Sequence, residues 1–357
     1  MPTLMLRDRD AIITGEDLIF RVFGYSHPPN SCICDAEYAP ATIFKSGNPK
    51  APRGKKKVAH YKFYEDEAWK FLSNKYPQYL IFHKMLQKKV IGVGHNAIHE
   101  TLKPQEQLER IANTEPQDSL HKVTRNVLLL VAQRSNLKAK NFGVFGSMLH
   151  SFYHPKFSDI DLVIYGRKKL DELQKILQEF YEEANVPLGN EFETDEPVKD
   201  KQWRFLNLSP KEYVWHQKRK LIYALFNDKK TERMIKTEFE PVKDWKEITN
   251  EYDSDTRIVQ KGWVKMTARV INDSDAAFMP SIYGIEPLKV FEGSKIADEA
   301  IRIVSYMEEY RLQAFNDETV LVEGNLEEVR TPGKAYYQIA LTYCPRYYEQ
   351  VLKLAST

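Results

Sequence analysis

The sequence has little cysteine, no long apolar run and almost no net charge. Three cysteines in 357 residues are too few for a disulfide-stabilised scaffold. No apolar stretch approaches the roughly 18 residues that a membrane-spanning helix needs, so we expect no membrane partner. The chain has 52 basic and 50 acidic residues, so its net charge is only +2. Charge can therefore indicate a binding partner only where residues of one sign are clustered. With 15 glycines and 18 prolines, the chain is not fibrous or of low complexity.

The composition that remains is typical of a globular protein with more than one core. Hydrophobic residues make up 42% of the chain and aromatic residues 12%. A prior of about 150 residues per domain predicts two or three domains. The first ten residues, MPTLMLRDRD, lack the apolar segment of a secretory signal, so we expect a cytoplasmic protein.

Changes in the hydrophobic pattern along the chain predict three domains of an α+β protein. Residues 1–115 read as an N-terminal α+β domain that carries an exposed basic loop, Lys45–Lys57. Residues 116–250 alternate helices with short strands and form the predicted core, a mixed sheet with helices. Residues 258–357 contain five strand-like segments, which predict a small β-barrel-like domain, with an OB-like barrel as one option.

Hydrophobic periodicity also predicts the individual elements. The segment Ser209-Pro210-Lys211-Glu212 is a capping box with proline at the first helical position, so a helix should begin there. The predicted helices are 65–75, 103–111, 119–137, 170–184, 210–226 and 347–354. The predicted strands are 18–23, 140–145, 157–165, 233–242, 264–271, 278–285, 300–305, 319–329 and 334–341.

One constellation of residues indicates chemistry. Phe145-Gly146-Ser147 is separated by eleven residues from Asp159-Ile160-Asp161. Glycine lets the backbone approach a ligand closely, and a Gly-Ser step between a strand and a helix directs backbone N–H groups towards a phosphate. On the returning strand, alternation places Asp159 and Asp161 on one face. Two carboxylates beside a phosphate site predict bound Mg²⁺.

This pattern resembles the signature of the polymerase β nucleotidyltransferase superfamily. The resemblance implies a polymerase β-like core in which Asp159 and Asp161 bind two Mg²⁺ ions, or Mn²⁺. It further implies that Gly146 and Ser147, with Ser158 just before the first aspartate, hold a nucleoside triphosphate such as ATP. The segment Glu212–Lys220 resembles a helix of archaeal predicted nucleotidyltransferases that also have an N-terminal extension and a β-rich C-terminal domain.

The superfamily usually has a third carboxylate on a later strand, which helps to hold a metal and can accept the proton of the attacking hydroxyl. The strand predicted at Arg233–Val242 offers Glu238 and Glu240 on one face. Glu238 is our choice because it is central in the strand, whereas Glu240 precedes a proline. One alternative register would place Lys236 there, and the third ligand would then be absent.

A cluster of basic residues follows the motif. Residues 201–236 contain ten basic and three acidic residues, a formal charge of +7 that suits a polyanion. On the helix that begins at Pro210, Lys218 and Lys220 flank the apolar face, and either could reach a triphosphate or a nucleic-acid backbone. A solvated basic helix is the alternative interpretation.

We therefore expect an Mg²⁺-dependent enzyme that transfers a nucleoside monophosphate from a nucleoside triphosphate to a hydroxyl, with release of pyrophosphate. The basic segment, the basic loop and the possible barrel favour the end of an RNA as the acceptor. A protein or small-molecule hydroxyl is also allowed. A second hypothesis is a nucleic-acid-binding protein whose nucleotidyltransferase fold has weakened chemistry. The oligomeric state stays open.

Overall fold

The computed structural model describes residues 5–54 and 57–355, and most helices lie where apolar periodicity predicts them. The capping box at Ser209 is formed, because its hydroxyl accepts from the Glu212 N–H while the Glu212 carboxylate accepts from the Ser209 N–H. In the described residues the helices are α1 (Glu67–Lys75), α2 (Pro104–Asn113), α3 (Ser119–Gln133), α4 (Gly146–Leu149), α5 (Arg167–Glu182), α6 (Glu196–Lys199) and α7 (Pro210–Arg219). Within that same part of the chain, no helix is long and apolar enough to cross a membrane.

The strands fall into three hydrogen-bonded sheets. The first is built from β1 (Ala11–Thr14), β2 (Ile19–Val22), β3 (Ser31–Pro40), β4 (Pro52–Arg53), β5 (His60–Lys62), β6 (Leu80–His83), β7 (Lys88–Gly94) and β8 (Ile98–Leu102). The second is built from β9 (Phe142–Val144), β10 (Ile160–Tyr165), β11 (Leu188–Asn190), β12 (Tyr223–Asp228) and β13 (Arg233–Val242). The third is built from β14 (Arg257–Asp275), β15 (Ser281–Glu292), β16 (Ala300–Ser305), β17 (Thr319–Arg330), β18 (Ala335–Leu341) and β19 (Val351–Leu354).

The chain divides into two units. The first comprises the described residues up to His83, Lys88–Gly189 and Ala224–Tyr252, and the second comprises Lys84–Gln87, Asn190–Tyr223 and the chain from Asp253 onwards. The first unit thus groups the predicted N-terminal domain with most of the predicted core. The second unit takes α6 and α7, which we expected in the core, together with the third sheet.

The first unit contains two sheets. The eight-stranded sheet runs in the order β4-β5-β3-β2-β1-β8, with β7 pairing to both β3 and β6. Its core is formed by apolar residues from alternate strand positions and from one face of α1. The five-stranded sheet has the order β11-β12-β13-β10-β9, in which β10 is parallel to β13 and antiparallel to β9. This is the mixed sheet with helices that the sequence predicted.

The second unit contains six strands where the sequence predicted a small five-stranded barrel-like domain, and the barrel itself is not confirmed. Its strands form one six-stranded sheet in the order β14-β15-β16-β18-β17-β19, and β14 also pairs with β17. Among the pairings described in this third sheet, only that of β16 with β18 is parallel. The β-rich character of this region is confirmed. Its first strand, β14, is longer than predicted and runs through 19 residues.

Two helix predictions are wrong for the same reason. The predicted helix 210–226 ends at Arg219, Leu221 has a φ of +53°, and β12 begins at Tyr223. The predicted closing helix 347–354 is a short 3₁₀ turn followed by β19, which pairs with β17. In both segments the spacing of the apolar residues suits a helix as well as a strand, and sheet pairing decides.

Candidate active site

The Gly-Ser step lies where β9 ends and α4 begins, and the position of Gly146 admits no side chain. Gly146 has a φ of +59°, in the left-handed region that other L-residues rarely adopt. A Cβ at this position would lie 2.5 Å from Oδ2 of Asp161. The N–H of Phe145 also donates to the carbonyl of Asp161 at 3.0 Å. The bend and the second aspartate are therefore in direct contact.

Ser147 holds the short helix against the chain that follows it. Its carbonyl accepts from the N–H groups of Phe152 at 2.8 Å and Tyr153 at 3.2 Å. Met148 and Leu149 are buried, whereas Gly146 and Ser147 are half-buried. The Gly-Ser step consequently stays near the surface while the rest of α4 is anchored in the core.

The two aspartates follow the predicted alternation. Ile160 and Leu162 are fully buried, Asp161 is half-buried on β10, and Asp159 is exposed just before the strand. Burial is the largest cause that raises the pKa of Asp161 to about 7, and the negative charges of Asp159 and Glu240 add to it. The negative charge of these aspartates is thus concentrated where β10 begins, beside the bend at Gly146.

The parallel pairing of β10 with β13 brings the candidate third carboxylate to this place. Asp161 is in register with Glu238, and both are half-buried. Glu240 is buried and forms an ion pair with the guanidinium of Arg9 at 3.0 Å. Glu240 is thus engaged by Arg9, and Glu238, in register with Asp161, stays the predicted third ligand. Lys236 is exposed on the same strand.

Ser158 closes the loop that leads to Asp159. Its hydroxyl accepts from the N–H of His154 at 2.8 Å, and its N–H donates to the carbonyl of His154 at 2.9 Å. Arg233 donates to the carbonyls of Pro155 at 3.1 Å and Ser158 at 2.7 Å. The predicted role of Ser158 in nucleotide binding stays a prediction, since its side chain is engaged in this turn.

Lys218 and Lys220 both belong to the second unit. Lys218 is exposed and pairs with Glu193 at 2.8 Å. Lys220 is fully buried, and its ammonium donates to the carbonyl of Glu309 at 2.6 Å. The expectation that Lys220 flanks an open helix face is wrong, because the helix ends before it and tertiary packing encloses its side chain.

The N-terminal sheet meets the chain just after the Gly-Ser step. The imidazole of His150 lies 3.8 Å from the carboxylate of Glu37. Although burial opposes it, the interaction with His150 and the charge of Arg21 lower the pKa of Glu37 to about 2. The sequence carried no signal for these residues or for Arg9 and Arg233, because each acts on a part of the chain remote from itself.

The carboxylates beside the bend have the chemistry of ligands for a divalent cation. Among residues 5–54 and 57–355, no three acidic, histidine or cysteine side chains are close enough to form a complete metal site. Asp159 and Asp161 supply the hard oxygen ligands that Mg²⁺ prefers, and a cation would relieve the charge crowding that raises the pKa of Asp161. The donor set therefore fits such an ion, with substrate oxygens and water completing it.

Comparisons with known proteins agree with this geometry. Residues 125–249 match the model of a family described as the nucleotidyltransferase domain. The matched range includes the bend, both aspartates and the whole of β13. An uncharacterised protein of Methanocaldococcus jannaschii is 29% identical, and the match covers 98% of this chain and 99% of that relative. No solved structure matches the chain. Residues 125–249 are thus similar to nucleotidyltransferase domains of the polymerase β type, as the Gly-Ser and Asp-Ile-Asp motifs predicted.

Proposed function

We propose that the protein transfers a nucleoside monophosphate from a nucleoside triphosphate to a hydroxyl at the end of an RNA and releases pyrophosphate. The observation that carries this proposal is the contact between the bend and the acidic strand. A Cβ at Gly146 would collide with the carboxylate of Asp161, so the backbone of the bend lies directly against this carboxylate. A phosphate bound there would meet both the N–H groups of the bend and the acidic cluster.

The reaction is an in-line displacement at the α-phosphorus. The acceptor oxygen forms a new bond to phosphorus, the bond to the bridging oxygen of the pyrophosphate breaks, and the acceptor hydroxyl loses its proton. Glu238, in register with Asp161 on the neighbouring strand, is the residue that we assign to receive that proton. Most of the rate enhancement then comes from positioning and charge neutralisation.

Asp159, Asp161 and Glu238 are the side chains that would hold Mg²⁺ or Mn²⁺. When bound, two such ions would neutralise phosphate charge and polarise the reacting oxygens. The protein's own contribution is to keep these carboxylates beside the bend, through the parallel pairing of β10 with β13 and the contact of Asp161 with Gly146.

The preference for RNA rests on the basic loop of the N-terminal sheet. The segment Lys45–Lys57 belongs to the same unit as the site, and its Pro52–Arg53 pairs with β5 in the eight-stranded sheet. Lys55 and Lys56 lie outside the described residues. A basic segment close in the fold to a phosphoryl-transfer site suits a long polyanionic acceptor better than a small molecule.

The proposal is tested with labelled nucleoside triphosphates, Mg²⁺ and total RNA. We expect labelled RNA with the wild type and a loss of roughly 100-fold or more with Asp159→Ala/Asp161→Ala. The matched control is Glu106→Ala/Glu109→Ala, which removes two exposed carboxylates from α2. Label on protein or on a small molecule would assign a different acceptor, and equal activity of the aspartate variant would refute the proposed site.

A nucleic-acid-binding protein with weakened chemistry is the second candidate. It is favoured by the lack, within the described part of the chain, of three metal-ligating side chains in one cluster. It is also favoured by glutamate, not aspartate, at position 238. RNA binding that is unchanged in Asp159→Ala/Asp161→Ala, with no transfer under Mg²⁺ or Mn²⁺, would select this candidate.

A further inference from the structure

Four side chains of the N-terminal sheet share one face at its β4-β5-β3 edge. The register pairs Tyr38 with Lys62 and Arg53 with His60, and residues directly opposite each other on antiparallel strands project to the same side. Lys62 and His60 are two residues apart on β5, so they also share that side. Lys62 and Arg53 are half-buried, and the guanidinium of Arg53 donates to the carbonyls of Lys50 at 2.6 Å and Pro52 at 3.0 Å.

This face packs against the chain that follows the Gly-Ser step. The ring of Tyr38 lies 5.4 Å from the ring of His150 and 5.4 Å from that of Phe152. The ring of His60 lies 5.0 Å from that of Phe152. His150 directly follows α4, so the sheet face and the bend at Gly146 are joined by a short, packed segment.

Electrostatic interactions link Lys62 and Tyr38 of this face to Asp161. Burial is the largest cause that raises the pKa values of Asp161 and Tyr38; the charge of Lys62 opposes the rise for Asp161, and the charge of Asp161 adds to the rise for Tyr38. The guanidinium of Arg53 lies 5.9 Å from the ring centre of Tyr38. Lys62 is therefore our candidate to neutralise an anion that enters between this face and the bend.

We propose that Lys62, with Arg53 beside it, binds the triphosphate of the nucleoside triphosphate from the side opposite the Gly-Ser bend. The inference rests on the proposed function and adds a nucleotide-binding role for the N-terminal sheet. An ammonium that reaches phosphate oxygens makes charge-assisted hydrogen bonds, which are stronger than neutral ones. The triphosphate would thus be held between backbone N–H groups on one side and two cations on the other.

The test measures nucleotide binding without turnover. A triphosphate whose α–β bridging oxygen is replaced by methylene is titrated with Mg²⁺ against the full chain, and the nucleoside monophosphate is titrated in parallel. We expect Lys62→Met to weaken binding of the triphosphate analogue about tenfold or more and to leave that of the monophosphate nearly unchanged. Lys62→Arg should retain most of the affinity.

Matched variants keep the outcomes separate. Lys89→Met removes an exposed lysine from β7 of the same sheet and should bind like the wild type. Arg53→Gln provides a second test if Lys62→Met does not fold. Unchanged analogue affinity in both Lys62→Met and Arg53→Gln, with affinity lost in Asp159→Ala/Asp161→Ala, would overturn this inference alone.

Two further outcomes have equally definite meanings. Loss of binding to an RNA oligonucleotide in Lys62→Met, with the analogue still bound normally, would also overturn the inference, because the face would then serve the acceptor. A wild type that binds no triphosphate at all would refute the proposed function and the inference together.

Discussion

At Gly146 we expect a substitution to lower the transfer activity more than the stability of the fold. Placing alanine at a left-handed φ of +59° costs about 1–2 kcal/mol. Its Cβ must also displace the carboxylate of Asp161, which it would approach to 2.5 Å. We expect Gly146→Ala to fold with a modest loss of stability and to lose most transfer activity.

The control for this variant is Gly189→Ala, because no heavy atom lies within 4 Å of a Cβ built at Gly189. Thermal unfolding by circular dichroism and a nucleotide-transfer assay measure the two effects. Gly146→Ala with full activity would show that the carboxylate of Asp161 does not need its observed position.

Asp161 makes stability depend on pH in a definite direction. Burial and the charges of Asp159 and Glu240 raise its pKa from 3.8 to about 7 in the folded state. The folded state therefore holds this proton more tightly than the unfolded state does, and stability falls as the pH rises from about 3.8 to 7. Above that range the contribution of Asp161 is constant.

We expect Asp161→Asn to remove this part of the pH dependence. Urea unfolding from pH 4.5 to 8 without divalent metal should show the wild type losing stability relative to Asp161→Asn until about pH 7. If the free energies of unfolding of the two proteins change with pH in parallel, the raised pKa of Asp161 is contradicted. Added Mg²⁺ should stabilise the wild type more than the variant at pH 7.5, because binding to the folded state adds to its stability.

At the scale of elements, the segment after α7 shows where local pattern stops being decisive. Residues 221–226, LIYALF, are apolar throughout, so they suit a buried helix and a buried strand equally well. In the structure Ile222, Ala224 and Phe226 are buried in alternation, which is the strand period. The position of β12 between β11 and β13 decides the outcome.

The early end of α7 changes the expected role of Lys220. Its buried ammonium donates to the carbonyl of Glu309, a charge-assisted bond whose loss costs about 1.5–3 kcal/mol. We expect Lys220→Met to lower the free energy of unfolding by that amount and to leave the salt dependence of RNA binding unchanged. Lys218→Met, which breaks an exposed ion pair with Glu193, should cost at most about 1 kcal/mol.

Urea unfolding and RNA titrations at several salt concentrations measure both quantities. A flatter salt dependence in Lys220→Met, at unchanged stability, would restore the original expectation of a phosphate contact.

At the scale of the whole molecule, the basic cluster seen in the sequence contributes residues to both units. Residues 201–236 carry a formal charge of +7, yet they are divided between the two units. Lys218 pairs with Glu193, and Arg219 pairs with Glu318. Two of these cations are thus paired with acidic residues outside the segment, and we expect the face of the N-terminal sheet that carries Lys62 and Arg53 to be a better candidate for contact with phosphate.

Features that depend on neighbouring residues could be predicted before the fold was known. Local sterics and periodicity predict the Gly-Ser step, the alternation of Asp159 and Asp161, the capping box at Ser209 and several of the helices and strands. Three features arise only in the folded chain: the pairing of Asp161 with Glu238, the ion pair of Arg9 with Glu240 and the approach of the N-terminal sheet to α4. These contacts join residues far apart in the chain, and their free energy appears only when the strands that carry them are packed together.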